Sequence, residues 1–105
     1  SGHYTIEACV TSQFEQHIRA ITGLPLGSTD MIVKSAVMKN ILGTAQGLGF
    51  PKNLDKALKI PGVSYHLYNK KDSRIGRKMG HITVVGDSLE KCLQNAEKAR
   101  RMLVI

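Results

Sequence analysis

The sequence predicts an α+β fold, a small antiparallel sheet with covering helices. Three observations carry this. Two stretches alternate with period two around a basic loop, two others have helical spacing with start signals, and 105 residues suffice for one ordinary domain. A chain of this length buries only about two-thirds of its unfolded surface, so the core is modest.

The elements follow in order. Ser12 and Glu15 have capping-box spacing ahead of Phe14, Ile18 and Ile21, which share one helical face, and Gly23 and Pro25 end the helix expected over 12–22. His17 lies beside that apolar stripe and reads as structural. Residues 32–42 are rich in β-branched side chains and read as a strand ending at Gly43. The stretch 43–52 holds three glycines and a proline and reads as a loop. Asn53 then stands as cap of a short helix over 54–60, closed by Pro61-Gly62. Val63, Tyr65 and Leu67 alternate with Ser64, His66 and Tyr68, a strand pattern.

A basic loop, 69–77, joins this strand to another over 78–86, and the two read as an antiparallel hairpin. Asp87 and Glu90 offer a second capping box, opening a helix over 88–102. Leu89, Cys92, Leu93, Ala96 and Leu103 mark its expected buried face.

Fifteen Lys and Arg against eight Asp and Glu give a net charge of +7, which implies an anionic partner. The charge is concentrated: Lys70, Lys71, Arg74, Arg77 and Lys78 face a single Asp72, a net +4 within nine residues. Gly76 lets backbone amides come close to a ligand there, and the Arg fork suits a phosphate monoester. A plain solvated turn would have the same composition. So would a stand-alone basic module for nucleic acid, but recognition helices and RNP-like or GXXG-type signatures are missing.

Other chemistries find little support. His3, His17, His66, His81, Cys9 and Cys92 show no zinc-ligand spacing, so no metal site is expected. Cys9 and Cys92, 83 positions apart, read as reduced intracellular thiols, with Cys92 packing in the core. Gly47-Leu48-Gly49 lacks the rest of a dinucleotide loop, and neither a Walker A sequence nor a nucleophile elbow occurs. No apolar run reaches the roughly 20 residues of a membrane span.

Three stretches together resemble one family. The run from Ser1-Gly2-His3-Tyr4-Thr5-Ile6-Glu7 to His17 looks like the end of the ATP-grasp domain of 5-(carboxyamino)imidazole ribonucleotide synthetase. In fungi that enzyme forms the first part of the bifunctional phosphoribosylaminoimidazole carboxylase. Gly23-Leu24-Pro25-Leu26-Gly27 and Val37-Met38-Lys39-Asn40-Ile41-Leu42-Gly43 continue the likeness. His66-Leu67-Tyr68-Asn69-Lys70 and Arg77-Lys78-Met79-Gly80-His81-Ile82-Thr83 complete it, over nearly the whole chain.

The resemblance implies the C-terminal part of an ATP-grasp enzyme of de novo purine synthesis. Residues 1–27 would be the tail of the ATP-grasp domain and 28–105 the small C-terminal domain. The family carboxylates aminoimidazole ribonucleotide with ATP and bicarbonate. Its magnesium- and ATP-holding elements precede the Ser-Gly-His motif, so Mg and ATP belong to the parent enzyme, no cofactor belongs to this stretch, and the stretch alone is expected to be inactive.

By motif match, Lys70 and Arg77 would bind the substrate phosphate, with Lys78 beside them and His3 lining the active centre. Asn69 stands where the family usually has Gly, and Lys71 doubles the lysine, leaving registers 70 and 71 for the motif. The implied partner is the small-molecule substrate together with the rest of a cytoplasmic synthetase, with no nucleic acid and no membrane. Tyr4 and Ile6 would have paired within the larger domain, and surface exposed by its absence suits self-association into a homo-oligomer.

Overall fold

In a computed structural model, residues 2–105 are described; Ser1 of the opening motif lies outside them. In chain order the elements are α1 (Thr5–Ala8), α2 (Gln13–Ile21), β1 (Ser35–Leu42), α3 (Leu54–Leu58), β2 (Val63–Leu67), β3 (Lys78–Gly86) and α4 (Leu89–Met102). The three strands form one antiparallel sheet in the order β1-β3-β2. The expected hairpin is therefore present, and β3 gains a second neighbour on its other edge.

Side-chain alternation divides the sheet into two faces. Val37 and Ile41 of β1, Ile82 and Val84 of β3, and Val63, Tyr65 and Leu67 of β2 contribute to the hydrophobic core. Here α4 lies across the sheet on Cys92, Ala96 and Ala99, small side chains that permit close approach. A register shift between Ile41 and Leu42, whose partners are Gly80 and Lys78, leaves Met79 bulged, and Met79 is fully buried in the core. The opposite face carries His66 of β2 with His81 and Thr83 of β3, the latter two buried.

Before the sheet, α1 and α2 form a short unit closed by a bridge between Cys9 and Met31 and by Gln16, whose amide holds both the N–H and the C=O of Gly27. Ser12 Oγ accepts from the Glu15 N–H at 3.1 Å, as its spacing predicts.

Several expectations need correction. Residues 5–8 are a helical turn, so Tyr4 and Ile6 flank or occupy a helix rather than a pairing strand. Phe14, Ile18 and Ile21 do share a face, yet they remain 46%, 54% and 66% exposed. His17 on the same helix is exposed too. Asn53 adopts φ 63° and gives α3 no side-chain cap; its amide donates instead to the Met102 carbonyl. The cap of α4 is Ser88, accepting from the Lys91 N–H at 3.3 Å, one position later than the Asp87–Glu90 box. The buried stripe of α4 is Cys92, Ala96 and Ala99, continued by Leu103, while Leu89 and Leu93, expected on it, are about half exposed.

Candidate functional site

The basic loop 69–77 leaves the end of β2 and returns at the start of β3, so Lys70, Arg77 and Lys78 all sit at one end of the sheet. Backbone bonds fix it. Gly76 N–H donates to Gly43 C=O at 2.9 Å, Gly43 N–H donates to Arg77 C=O at 2.8 Å, and Ser73 and Gly47 exchange N–H···O bonds. A Cβ at Gly43 would lie 2.2 Å from the Arg74 carbonyl, so only glycine allows this approach. The loop is thus clamped to the loop that follows β1.

Its side chains divide by partner. Arg77 Nη1 donates to the Asp72 carboxylate at 2.6 Å and to the Asp72 carbonyl at 3.1 Å. Such a partly exposed pair contributes little to stability, which leaves the guanidinium available to a stronger anion. Lys70 Nζ lies 5.9 Å from the centre of the Tyr68 ring, within cation–π range. Asn69 has φ 57°, the left-handed region that favours glycine. Lys71 and Lys78 are exposed.

Next to this loop, on the sheet face away from α4, lies a polar cluster that sequence spacing does not reveal. His66 and His81 are cross-strand partners, and their rings stack at 4.6 Å with a 20° tilt. Glu7 of α1 reaches across, its two carboxylate oxygens 2.9 and 3.1 Å from His66 Nε2. His3 meets His81 edge-on at 5.1 Å, Phe14 at 5.2 Å and Tyr68 at 6.3 Å. Tyr68 Oη lies 2.9 Å from His81 Nδ1. His3 is therefore joined to Lys70 through the Tyr68 ring.

The electrostatics follow from burial. His81 is 1% exposed, and desolvation first, then the neighbouring His66 and His3, push its pKa down to about 4. Its ring is neutral near pH 7. Burial also raises the Tyr68 phenol, and its Oη shares one hydrogen bond with His81 Nδ1. His81 Nε2 has no hydrogen-bond partner among the described residues.

Glu7, His66 and His81 bring three metal-ligating atoms within 4.8 Å of one another. The ring stack speaks against a shared ion, however. The nitrogen lone pairs that bind a metal lie in the imidazole planes, and two planes tilted by 20° at this separation converge far beyond the roughly 2 Å of a metal–nitrogen bond. The arrangement is a hydrogen-bonded His66–Glu7 pair stacked on a neutral imidazole.

The comparisons with known proteins agree with this geometry. The family described as "Phosphoribosylaminoimidazole carboxylase C-terminal domain" matches residues 36–95. The chain is 51% identical over 96 residues to the phosphoribosylaminoimidazole carboxylase of Schizosaccharomyces pombe, covering 88% of this chain and 17% of that protein. It resembles the N5-carboxyaminoimidazole ribonucleotide synthetase of Thermotoga maritima at 55% identity and TM-score 0.90, over 99% of this chain and 29% of that one. The Aspergillus clavatus N5-carboxyaminoimidazole synthase, solved with ADP and 5-aminoimidazole ribonucleotide, matches at 40% identity and TM-score 0.81, over 94% of this chain and 27% of that one.

This chain thus spans between about a sixth and three tenths of these relatives' length. With the antiparallel sheet, the clamped basic loop and the family match in agreement, the chain belongs to the phosphoribosylaminoimidazole carboxylase C-terminal domain family.

Proposed function

We propose that this chain is the C-terminal part of a synthetase that carboxylates aminoimidazole ribonucleotide, and that its basic loop grips the substrate's phosphate. The observation that carries the reading is the clamped loop itself. Backbone bonds of Ser73, Gly76 and Arg77 with Gly43 and Gly47 fix the loop at one end of the sheet, and none of them uses the charge of Lys70 or Arg77. A phosphate dianion would displace Asp72 from Arg77, because a bidentate charge-assisted pair outcompetes an exposed carboxylate. Asn69 in the left-handed region does what glycine would do at that point, which favours Lys70 over Lys71 as the motif lysine. Lys78 adds an exposed positive charge at the first residue of β3, and His3 approaches through Tyr68.

In this reading residues 1–27 close the preceding ATP-grasp domain and 28–105 form the small domain, with ATP and Mg held by the remainder of the enzyme. The exposed stripe Phe14, Ile18 and Ile21 is the surface we assign to that contact, and in the isolated piece it favours self-association. A nucleic-acid module fits less well. Tyr65 packs against the core and Tyr68 is tied to His81, so neither ring stands free to stack on a base. No helix among the described residues is long and apolar enough to cross a membrane.

The test is steady-state kinetics of the full-length synthetase with each substrate varied. Lys70→Ala and Arg77→Ala should each lower kcat/KM for the ribonucleotide about ten- to a hundredfold, the worth of one charge-assisted bond, while sparing ATP. Arg77→Lys should recover only part, and Lys71→Ala should cost less than Lys70→Ala. Wild-type ribonucleotide kinetics in both folded alanine variants would leave the loop a solvated turn.

A further inference from the structure

The polar cluster beneath the N-terminal segment sits beside the loop but supplies none of its charges. Three features of His81 need a reason. It is fully buried, it keeps an imidazole where a phenyl ring would fill similar space without desolvating a polar group, and its Nε2 goes without a hydrogen-bond partner among the described residues. What the imidazole adds is a hydrogen-bond partner at Nδ1 for the Tyr68 hydroxyl, 2.9 Å away.

Tyr68 is the last residue before the loop turns at Asn69, and its N–H already donates to the Met79 carbonyl. The backbone fixes where Tyr68 starts, and the bond to His81 fixes where its ring ends. That ring is the surface under the Lys70 ammonium. On its other side His81 is held by the His66 stack, which Glu7 anchors, and by the edge of His3.

We propose that His81 is a positioning residue of the ribonucleotide-phosphate site: it holds Tyr68, and through the Tyr68 ring the Lys70 ammonium, in register with the segment that carries His3 and Glu7. This rests on the phosphate-binding reading of the basic loop. The interaction orients a binding group and reaches no reacting atom, so its loss should appear in KM for the ribonucleotide more than in kcat.

The experiment uses the full-length synthetase, with Lys70→Ala as reference. Tyr68→Phe keeps the ring and deletes the hydroxyl; His81→Phe keeps the stack and deletes the hydrogen-bonding nitrogen. Each should raise KM for the ribonucleotide about five- to tenfold without moving KM for ATP, in line with one hydrogen bond. The double variant should be no worse than the more severe single one, because both remove the same bond. His81→Asn, whose amide oxygen can accept from Tyr68, should recover most of the loss.

If Lys70→Ala raises the ribonucleotide KM while both phenylalanine variants leave it unchanged, positioning is overturned and the phosphate site stands. A fall for both substrates together with a lowered Tm, unrescued by asparagine, would make His81 merely structural and also overturn it. If Lys70→Ala is itself silent, the phosphate-binding reading fails, and this inference falls with it.

Discussion

The two faces of the β-sheet use burial in opposite ways. Toward α4, Ile41, Met79, Ile82 and Val84 exclude water with apolar surface that needs no particular partner. On the other face, His81 and Thr83 are equally buried on the same strand, yet His81 Nε2 and Thr83 Oγ1 both lack a hydrogen-bond partner among the described residues. The first face contributes stability in proportion to area. The second gives some up to hold polar groups in fixed geometry. The contrast teaches that burial on one strand can serve folding and site-building at successive residues, because pleating sends neighbours to opposite sides.

The largest effect should come from the α4 face. Ile82→Ala deletes a fully buried side chain among Ile41, Met79 and Leu103 and should cost about 2–5 kcal/mol in denaturant unfolding. A loss below about 1 kcal/mol would mean that the helix repacks freely and that the distinction between the faces is weaker than drawn.

The polar face should reveal itself through pH. His81 titrates at about 4 when folded against 6.5 for the ordinary group, so between these values the unfolded chain binds more protons. Stability therefore rises with pH across that window and falls as the solution is acidified from 6.5 toward 4. The full swing is on the order of 3 kcal/mol. His81→Asn should flatten this part of the stability–pH curve. An unchanged slope in the variant would assign the acid sensitivity to another group.

The smallest effect should have the opposite sign. Thr83 Oγ1 is buried without a partner, so Thr83→Val keeps the shape and removes an unmet polar group. Unfolding should show a gain of up to about 1 kcal/mol, and a loss would reveal a partner for the hydroxyl.

Much was legible in the residues alone because it depends on near neighbours. Period-two alternation placed β2 and β3, and Ser12 three positions before Glu15 marked the start of α2. The motif around Lys70 and Arg77 identified the family, and local charge density drew attention to the same loop. The C-terminal helix shows the limit of local reading. Asp87 and Ser88 both have capping chemistry, and which of Leu89, Cys92, Leu93 and Ala96 turn inward depends on how α4 meets the sheet.

What only the tertiary structure decided is the polar cluster. Glu7 and His66 are 59 positions apart, so spacing rules written for metal or capping motifs never compare them. His66 and His81 meet because the register of β2 on β3 sets them opposite one another, and a shift of one residue would turn one ring to the far face. Side-chain chemistry and short-range periodicity are properties of the sequence. Proximity across a sheet is a property of register, which the whole fold determines.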